Sequence, residues 1–168
     1  MSNLKKSNEY LHEAKNFLKK YPEIKSFDIV MHDSNGVGRG QIIRRNELLK
    51  LYQSGRQFPL STLGMDITGE DVPNTGLILE QGDGDINAWP IPSSLKPIYK
   101  STPPRGELFM TMSDIDGKKL YSDPRNVLEK LTQDCKKEGL EVYGAFELEF
   151  FLVSNELDQF GKLQPAKS

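Results

Sequence analysis

The chain has 168 residues, with 36% hydrophobic and 27% charged content, one cysteine, two histidines and a formal charge of −2. That length suits one sizeable domain, or a small domain and part of another. The near-neutral balance lacks the basic footprint of broad nucleic-acid binding, no apolar run approaches the ~20 residues that span a bilayer, and a lone cysteine excludes a disulfide framework or a multi-cysteine zinc site.

Met1 to Lys20 is polar and charged, without the apolar core of a signal peptide, so a cytoplasmic protein is the simplest reading. Within it, residues 3–20 read as a helix. Leu11, Ala14, Phe17 and Leu18 recur at three- and four-residue spacing, the lysines fall mostly elsewhere, and Pro22 marks the end. A docking helix with a solvated basic face is expected, with His12 on its polar side.

Phe27 to Asp33 alternates and is rich in β-branched and aromatic residues, which predicts a strand. Ser34-Asn35-Gly36 is a turn signal, and Arg39 to Ile43 is the returning strand of a hairpin. Gly36, Gly38 and Gly40 match neither the dinucleotide fingerprint nor a Walker loop, and a hairpin turn accounts for them. His32, at the strand end, reads as structural. Asn46 to Ser54 is a short helix with a capping residue in front and Gly55 behind. Strand, turn, strand, helix and further short strands suggest a compact α+β unit of the grasp type.

Residues 58–106 hold seven of the ten prolines, so extended connections and short strands should dominate. Ser61 to Asp66 is one candidate strand, delivering a carboxylate into the loop Ile67-Thr68-Gly69. Gly82-Asp83-Gly84-Asp85 is an acidic turn without the ligand spacing of a calcium loop. Trp89-Pro90-Ile91-Pro92 and Thr102-Pro103-Pro104 read as extended surface crossings. Leu108 to Ser113 alternates as a strand and Asp116-Gly117 closes it in a turn. Asp123-Pro124 starts a helix whose stripe is Val127, Leu128, Leu131 and Cys135, stopped by Gly139. Cys135 is expected to be an inert core thiol.

The run at 141–153 reads as a strand. One face carries Val142, Gly144, Phe146, Leu148, Phe150 and Leu152, and the other carries Tyr143, Ala145, Glu147, Glu149 and Phe151. Glu147 and Glu149 then project from one face roughly 6.6 Å apart. Such a pair asks for positive charge, supplied either by divalent metals or by lysine and arginine side chains, or else it simply faces water. After Val153 the chain turns polar and offers no further element to cover the apolar face, so the sequence looks interrupted.

The Gly-x-x-Glu-x-Glu-Phe-Phe run at 144–151 resembles the first catalytic-barrel strand of the glutamine synthetase family. The hairpin at 27–43, Met65-Asp66 before a loop, Gly82-Asp83-Gly84-Asp85, the proline-rich crossing, Asp116-Gly117 and Asp123-Pro124-Arg125 match in the same order, over roughly residues 20–165. The resemblance implies an α+β chain: an N-terminal helix at 1–22, a grasp-type domain at 23–113, and at 114–168 the first helix and strand of a glutamine-synthetase-type catalytic α/β barrel, incomplete. It also implies the N-terminal part of an ATP-dependent glutamate–amine ligase working through γ-glutamyl phosphate, in a homo-oligomeric ring, with Mg²⁺ or Mn²⁺ and ATP needed by the full-length enzyme. On that resemblance Glu149 matches the ligand of the metal that activates glutamate, Glu147 the ligand of the metal that binds nucleotide phosphates, and Asp66 the acidic residue that binds and deprotonates the incoming amine. Ammonia-using members follow this aspartate with Gly-Ser-Ser. Ile67-Thr68-Gly69 and the 82–85 stretch look more like the γ-glutamylpolyamine synthetase branch, so ammonia and a polyamine both remain as acceptors. Family members are more than twice as long, and two glutamates cannot complete two sites of about six ligands each. This chain alone is therefore expected to be inactive. The alternative is a stand-alone, non-catalytic interaction module that docks on a ligase ring or another partner.

Overall fold

The computed structural model describes residues 3–78, 84–114 and 117–166, with side chains from residue 10 onward. Gly82 and Asp83 of the acidic turn, and Asp116 of the expected Asp116-Gly117 turn, lie outside the described residues.

Helix α1 (Asn3–Lys20) forms as its periodicity predicts: Ala14 and Phe17 are buried, Leu11 and Leu18 half-buried, and His12 exposed. Its C-terminus is closed by an arginine 25 residues beyond Lys20. The Arg45 guanidinium donates to the carbonyls of Leu18, Tyr21 and Ile24, putting a cation where the helix leaves its last acceptors unpaired. Strands β1 (Ser26–His32) and β2 (Gly38–Arg44) pair antiparallel from Ser26↔Arg44 to His32↔Gly38, so the expected hairpin is present. Gly40 has to be glycine: a Cβ there would sit 1.9 Å from the Ile29 carbonyl oxygen.

Helix α2 (Leu48–Ser54) is preceded by a 3₁₀ turn at Arg45–Glu47. Its start differs from expectation. Asn46 lies inside the turn, and the Glu47 carboxylate reaches back to the Arg44 N–H at 2.9 Å instead. The end follows expectation, with Gly55 at φ +66° and its N–H bonded to the Leu51 carbonyl at 2.9 Å.

Strands β3 (Arg56–Pro59), β4 (Asp85–Pro90), β5 (Lys96–Pro97) and β6 (Arg105–Ser113) complete a mixed sheet in the order β2-β1-β6-β4-β3, with β5 also on β6. β6 runs parallel to β1 and antiparallel to β4 and β5. Phe27, Ile29, Met31, Leu108, Met110 and Met112 alternate inward and meet Ala14, Phe17, Leu48 and Leu51 in one core. Trp89-Pro90, expected to cross the surface, belongs to β4, with Trp89 opposite Thr111 and Pro90 opposite Met110. Pro90 is tolerated because it ends the strand. The irregular stretch between β4 and β5 is plugged by a side chain: the Ser94 hydroxyl donates to the Ile91 carbonyl at 2.6 Å and accepts the Phe109 N–H at 3.0 Å.

Ser61 to Asp66 is not a strand. Leu60–Leu63 is a 3₁₀ turn with Ser61, Thr62 and Leu63 all buried, a pattern incompatible with one solvated strand face, and only a bridge between Met65 and Asp71 follows. The second correction concerns 141–153. Residues 141–152 form no strand: a strand is held by a ladder of hydrogen bonds to a neighbour, and among the described residues the backbone of this run accepts a single one, from the Ala166 N–H to the Leu152 carbonyl at 3.0 Å. Phe146 is 99% exposed and Leu148, Phe150 and Leu152 are exposed with it. Nor is the chain devoid of structure beyond Val153, because β7 (Val153–Leu157) and β8 (Leu163–Pro165) form a hairpin. Its turn is built by Asp158, whose Oδ1 accepts the N–H groups of Phe160 and Lys162 at 2.8 and 2.9 Å.

Helix α3 (Pro124–Lys137) begins at Asp123 and is followed by Gly139 at φ +75°, as expected. Its stripe is not buried. Val127, Leu128 and Leu131 are exposed and Cys135 is half-buried, so the thiol is not in a core. The helix is instead fixed at its first turn: Asp123 Oδ2 accepts the Met112 N–H and the Thr111 hydroxyl, both at 2.8 Å, at the end of β6.

Candidate functional site

Asp66 stands where the bridge between Met65 and Asp71 opens into a tight loop. Its Oδ1 accepts the Thr68 hydroxyl at 2.7 Å, the Thr68 N–H at 2.8 Å and the Glu70 N–H at 3.0 Å. The backbone closes the same loop, with the Asp66 N–H on the Glu70 carbonyl at 2.8 Å and Gly69 at φ +94°. The Thr68 hydroxyl, then the Glu70 N–H, hold the Asp66 carboxyl below the usual carboxylate range despite some opposing desolvation. Asp66 is thus a fixed anion at neutral pH, half-exposed beside the exposed side chains of Ile67 and Glu70. Such a group attracts an ammonium ion.

The loop leans on the tip of the β1–β2 hairpin. Asp33, 2% exposed, accepts the N–H groups of Asn35 and Val37 at 2.9 Å through Oδ1, and the Arg39 Nε at 2.9 Å through Oδ2. Burial alone would raise the Asp33 pKa. The hydrogen bonds from Val37, Arg39 and Asn35 outweigh it and hold the carboxyl low. Arg39 then donates through Nη2 to the Asp66 carbonyl, while the Asn35 side-chain amide donates to the Met65 carbonyl at 3.2 Å. Sequence reasoning placed Asp66 in a loop but missed Asp33, Asn35 and Arg39. The visible signal was an aspartate two residues before an asparagine at a strand end, an Asx-turn pattern.

Glu147 and Glu149 lie apart from this network, both exposed in the unpaired 141–152 run. Their carboxylate oxygens are the donor type that Mg²⁺ and Mn²⁺ prefer. They fit such metals in kind but not in number, since no group of three or more His, Cys, Asp or Glu side chains among the described residues could hold a metal ion. Gly36, Gly38 and Gly40 are hairpin residues, as expected, and His32 packs edge-on against the Phe109 ring with centroids 5.3 Å apart. No helix among the described residues is long and apolar enough to cross a membrane.

Residues 121–168 match the model of the glutamine synthetase catalytic domain. Over 161 residues, 96% of the chain, the sequence is 37% identical to the γ-glutamylputrescine synthetase PuuA of Escherichia coli strain K12. The chain spans about a third of that relative's length (34%). Among solved structures it is similar to a GmaS–ADP complex (TM-score 0.56, 21% identity, 73% of this chain and 25% of that one). It is similar also to the glutamine synthetase of Plasmodium falciparum (TM-score 0.56, 17% identity, 83% and 23%). At those identities the likeness is one of fold.

Proposed function

From a chain that belongs to the glutamine synthetase family, we propose the N-terminal part of an ATP-dependent glutamate–amine ligase that acts through γ-glutamyl phosphate. The observation that carries the reading is the pre-organised Asp66 carboxylate on a sequence 37% identical to a γ-glutamylputrescine synthetase. Asp66 attracts the ammonium form of the acceptor and, in the bound state, takes its proton so that a neutral amine can attack the acyl phosphate. Ile67, 72% exposed beside it, gives the loop an apolar surface suited to the methylenes of a polyamine better than to ammonia.

The arrangement supports three units: the α1 region at 1–22, a grasp-type domain at 23–113, and the opening of a catalytic barrel at 114–168. A sheet with parallel β1 and β6 at its centre and α2 joining β2 to β3 favours the grasp assignment. Glu147 and Glu149 would each contribute one carboxylate to a Mg²⁺ or Mn²⁺ site of the complete enzyme, where a bound metal would supply charge neutralisation for the phosphoryl group. The complete enzyme works as a homo-oligomeric ring on glutamate, ATP and an amine. The 168-residue chain alone is inactive.

The experiment is a chimera in which this chain replaces the corresponding segment of the E. coli γ-glutamylputrescine synthetase. Putrescine-dependent phosphate release from ATP should persist, and Asp66→Asn should lower it on the order of 100-fold. An active chimera indifferent to Asp66→Asn rejects the role of Asp66. Turnover by the isolated chain rejects its inactivity. A second reading, a non-catalytic module docking on a ligase ring, draws on the exposed apolar residues of 140–152 and is tested by co-elution of the chain with the intact ring.

A further inference from the structure

We infer that Arg39 is a positioning residue for Asp66: fixed at one end by the buried Asp33 carboxylate, it holds the backbone of the amine-receiving loop at the other. This rests on the reading of Asp66 as the amine site.

Asp33 is buried, with a side chain that is 0% exposed, and the Arg39 side chain is only 16% exposed. Two N–H groups of the hairpin tip and the guanidinium share the carboxylate, so Arg39 has little freedom to rotate away. Its far edge donates to the Asp66 carbonyl, and Asn35 from the same tip holds the preceding carbonyl, that of Met65. Two consecutive peptide planes are therefore fixed from one hairpin. Gly69 completes the fit: a Cβ built there would lie 3.5 Å from Arg39 Nη1, and the φ of +94° suits glycine. Arg39 reaches Asp66 through the main-chain carbonyl, so it acts on the carboxylate by way of the backbone. Placement of that kind matters because a misplacement of about 1 Å costs ~100-fold in rate.

The test exploits the difference between a guanidinium fork and an ammonium point charge. Arg39→Lys keeps a cation against Asp33 but cannot span Asp33 Oδ2 and the Asp66 carbonyl together. In the 168-residue chain, solvent exchange of the Thr68 and Glu70 amides, followed by NMR, should become at least tenfold faster in Arg39→Lys, with urea unfolding little changed. Asn35→Ala, which leaves the Asp33–Arg39 pair intact, should speed the same amides several-fold and serves if Arg39→Lys does not fold. A folded Arg39→Lys with wild-type exchange at Thr68 and Glu70 overturns the inference, as does unchanged exchange in Asn35→Ala where Arg39→Lys is unfolded. In the chimera, Arg39→Lys should lower kcat/KM for putrescine about tenfold and leave KM for ATP alone. Indifference of that chimera to Asp66→Asn would instead reject the amine reading, while amide exchange still decides whether Arg39 positions the loop.

Discussion

Asn126 holds Met112 from across the junction between α3 and the sheet: its side-chain amide donates to the Met112 carbonyl at 2.8 Å, and both residues are almost wholly buried. The same amide donates to the Leu120 carbonyl at 2.9 Å, so one side chain satisfies two acceptors. With Asp123 on the Met112 N–H, both backbone polar groups of Met112 are occupied from the start of α3. Few other contacts join α3 to the sheet, and its apolar stripe is open to solvent.

Asn126→Ala should therefore loosen this junction sharply. The Met112 and Leu120 carbonyls keep the N–H groups of Leu120 and Asp123 at 3.3 and 3.2 Å, so the loss is that of two side-chain hydrogen bonds at about 0.5–1.5 kcal/mol each. Urea unfolding should show a loss of about 1–3 kcal/mol, or an early separate transition confined to α3. An unchanged single transition would contradict the role given to Asn126.

Acid should weaken the hairpin tip. The folded pKa of Asp33 is depressed, so between that value and the unfolded value of ~3.9 the unfolded chain binds more protons than the folded one. The stabilisation is complete above the unfolded value and disappears as pH falls through the folded one. Glu47, Asp66 and Asp134 are lowered too and act with the same sign, Asp134 reaching about 2 through Lys130 and then Lys137. Urea unfolding at pH 6 and pH 3 should show a clear loss in the wild type and a smaller one in Asp33→Asn, from a lower starting stability. Equal losses in the two proteins would remove Asp33 from the acid response.

The uncovered apolar residues should make the isolated chain sticky. Phe146 and Phe150 are 99% and 77% exposed, alongside Leu148 and Leu152, and an aromatic side chain gains from burying ~150–250 Å². The chain should bind a hydrophobic dye and self-associate at tens of micromolar concentration, and Phe146→Ser with Phe150→Ser should reduce both. Sedimentation as a monomer without dye binding would count against it.

The parts of the fold legible in sequence were those with local causes. The α1 stripe, the 27–43 hairpin and the Asp123-Pro124 start needed only periodicity, turn residues and a cap. The Ser61–Asp66 run misled because a short polar and apolar mixture can be a buried 3₁₀ turn as readily as a strand. The 141–153 pattern was a strand pattern, but pattern does not supply a partner, and among the described residues no strand pairs with 141–152. At the site, Asp66 was legible by resemblance. The arginine beneath it was not, because the contact between Arg39 and the Asp66 carbonyl joins residues 27 positions apart through a main-chain atom.

The parallel pairing of β1 with β6 also sets an order of events during synthesis. Ser26 meets Arg105 and Val30 meets Phe109, so the middle of the sheet stays open until the stretch ending at Ser113 has left the ribosome. Until then β1 has only β2 beside it, and Phe27, Ile29 and Met31 wait without their cross-strand cover. The nascent chain is thus committed to its N-terminal core only on the threshold of α3, and the region carrying Glu147 and Glu149 emerges onto a scaffold that has just closed.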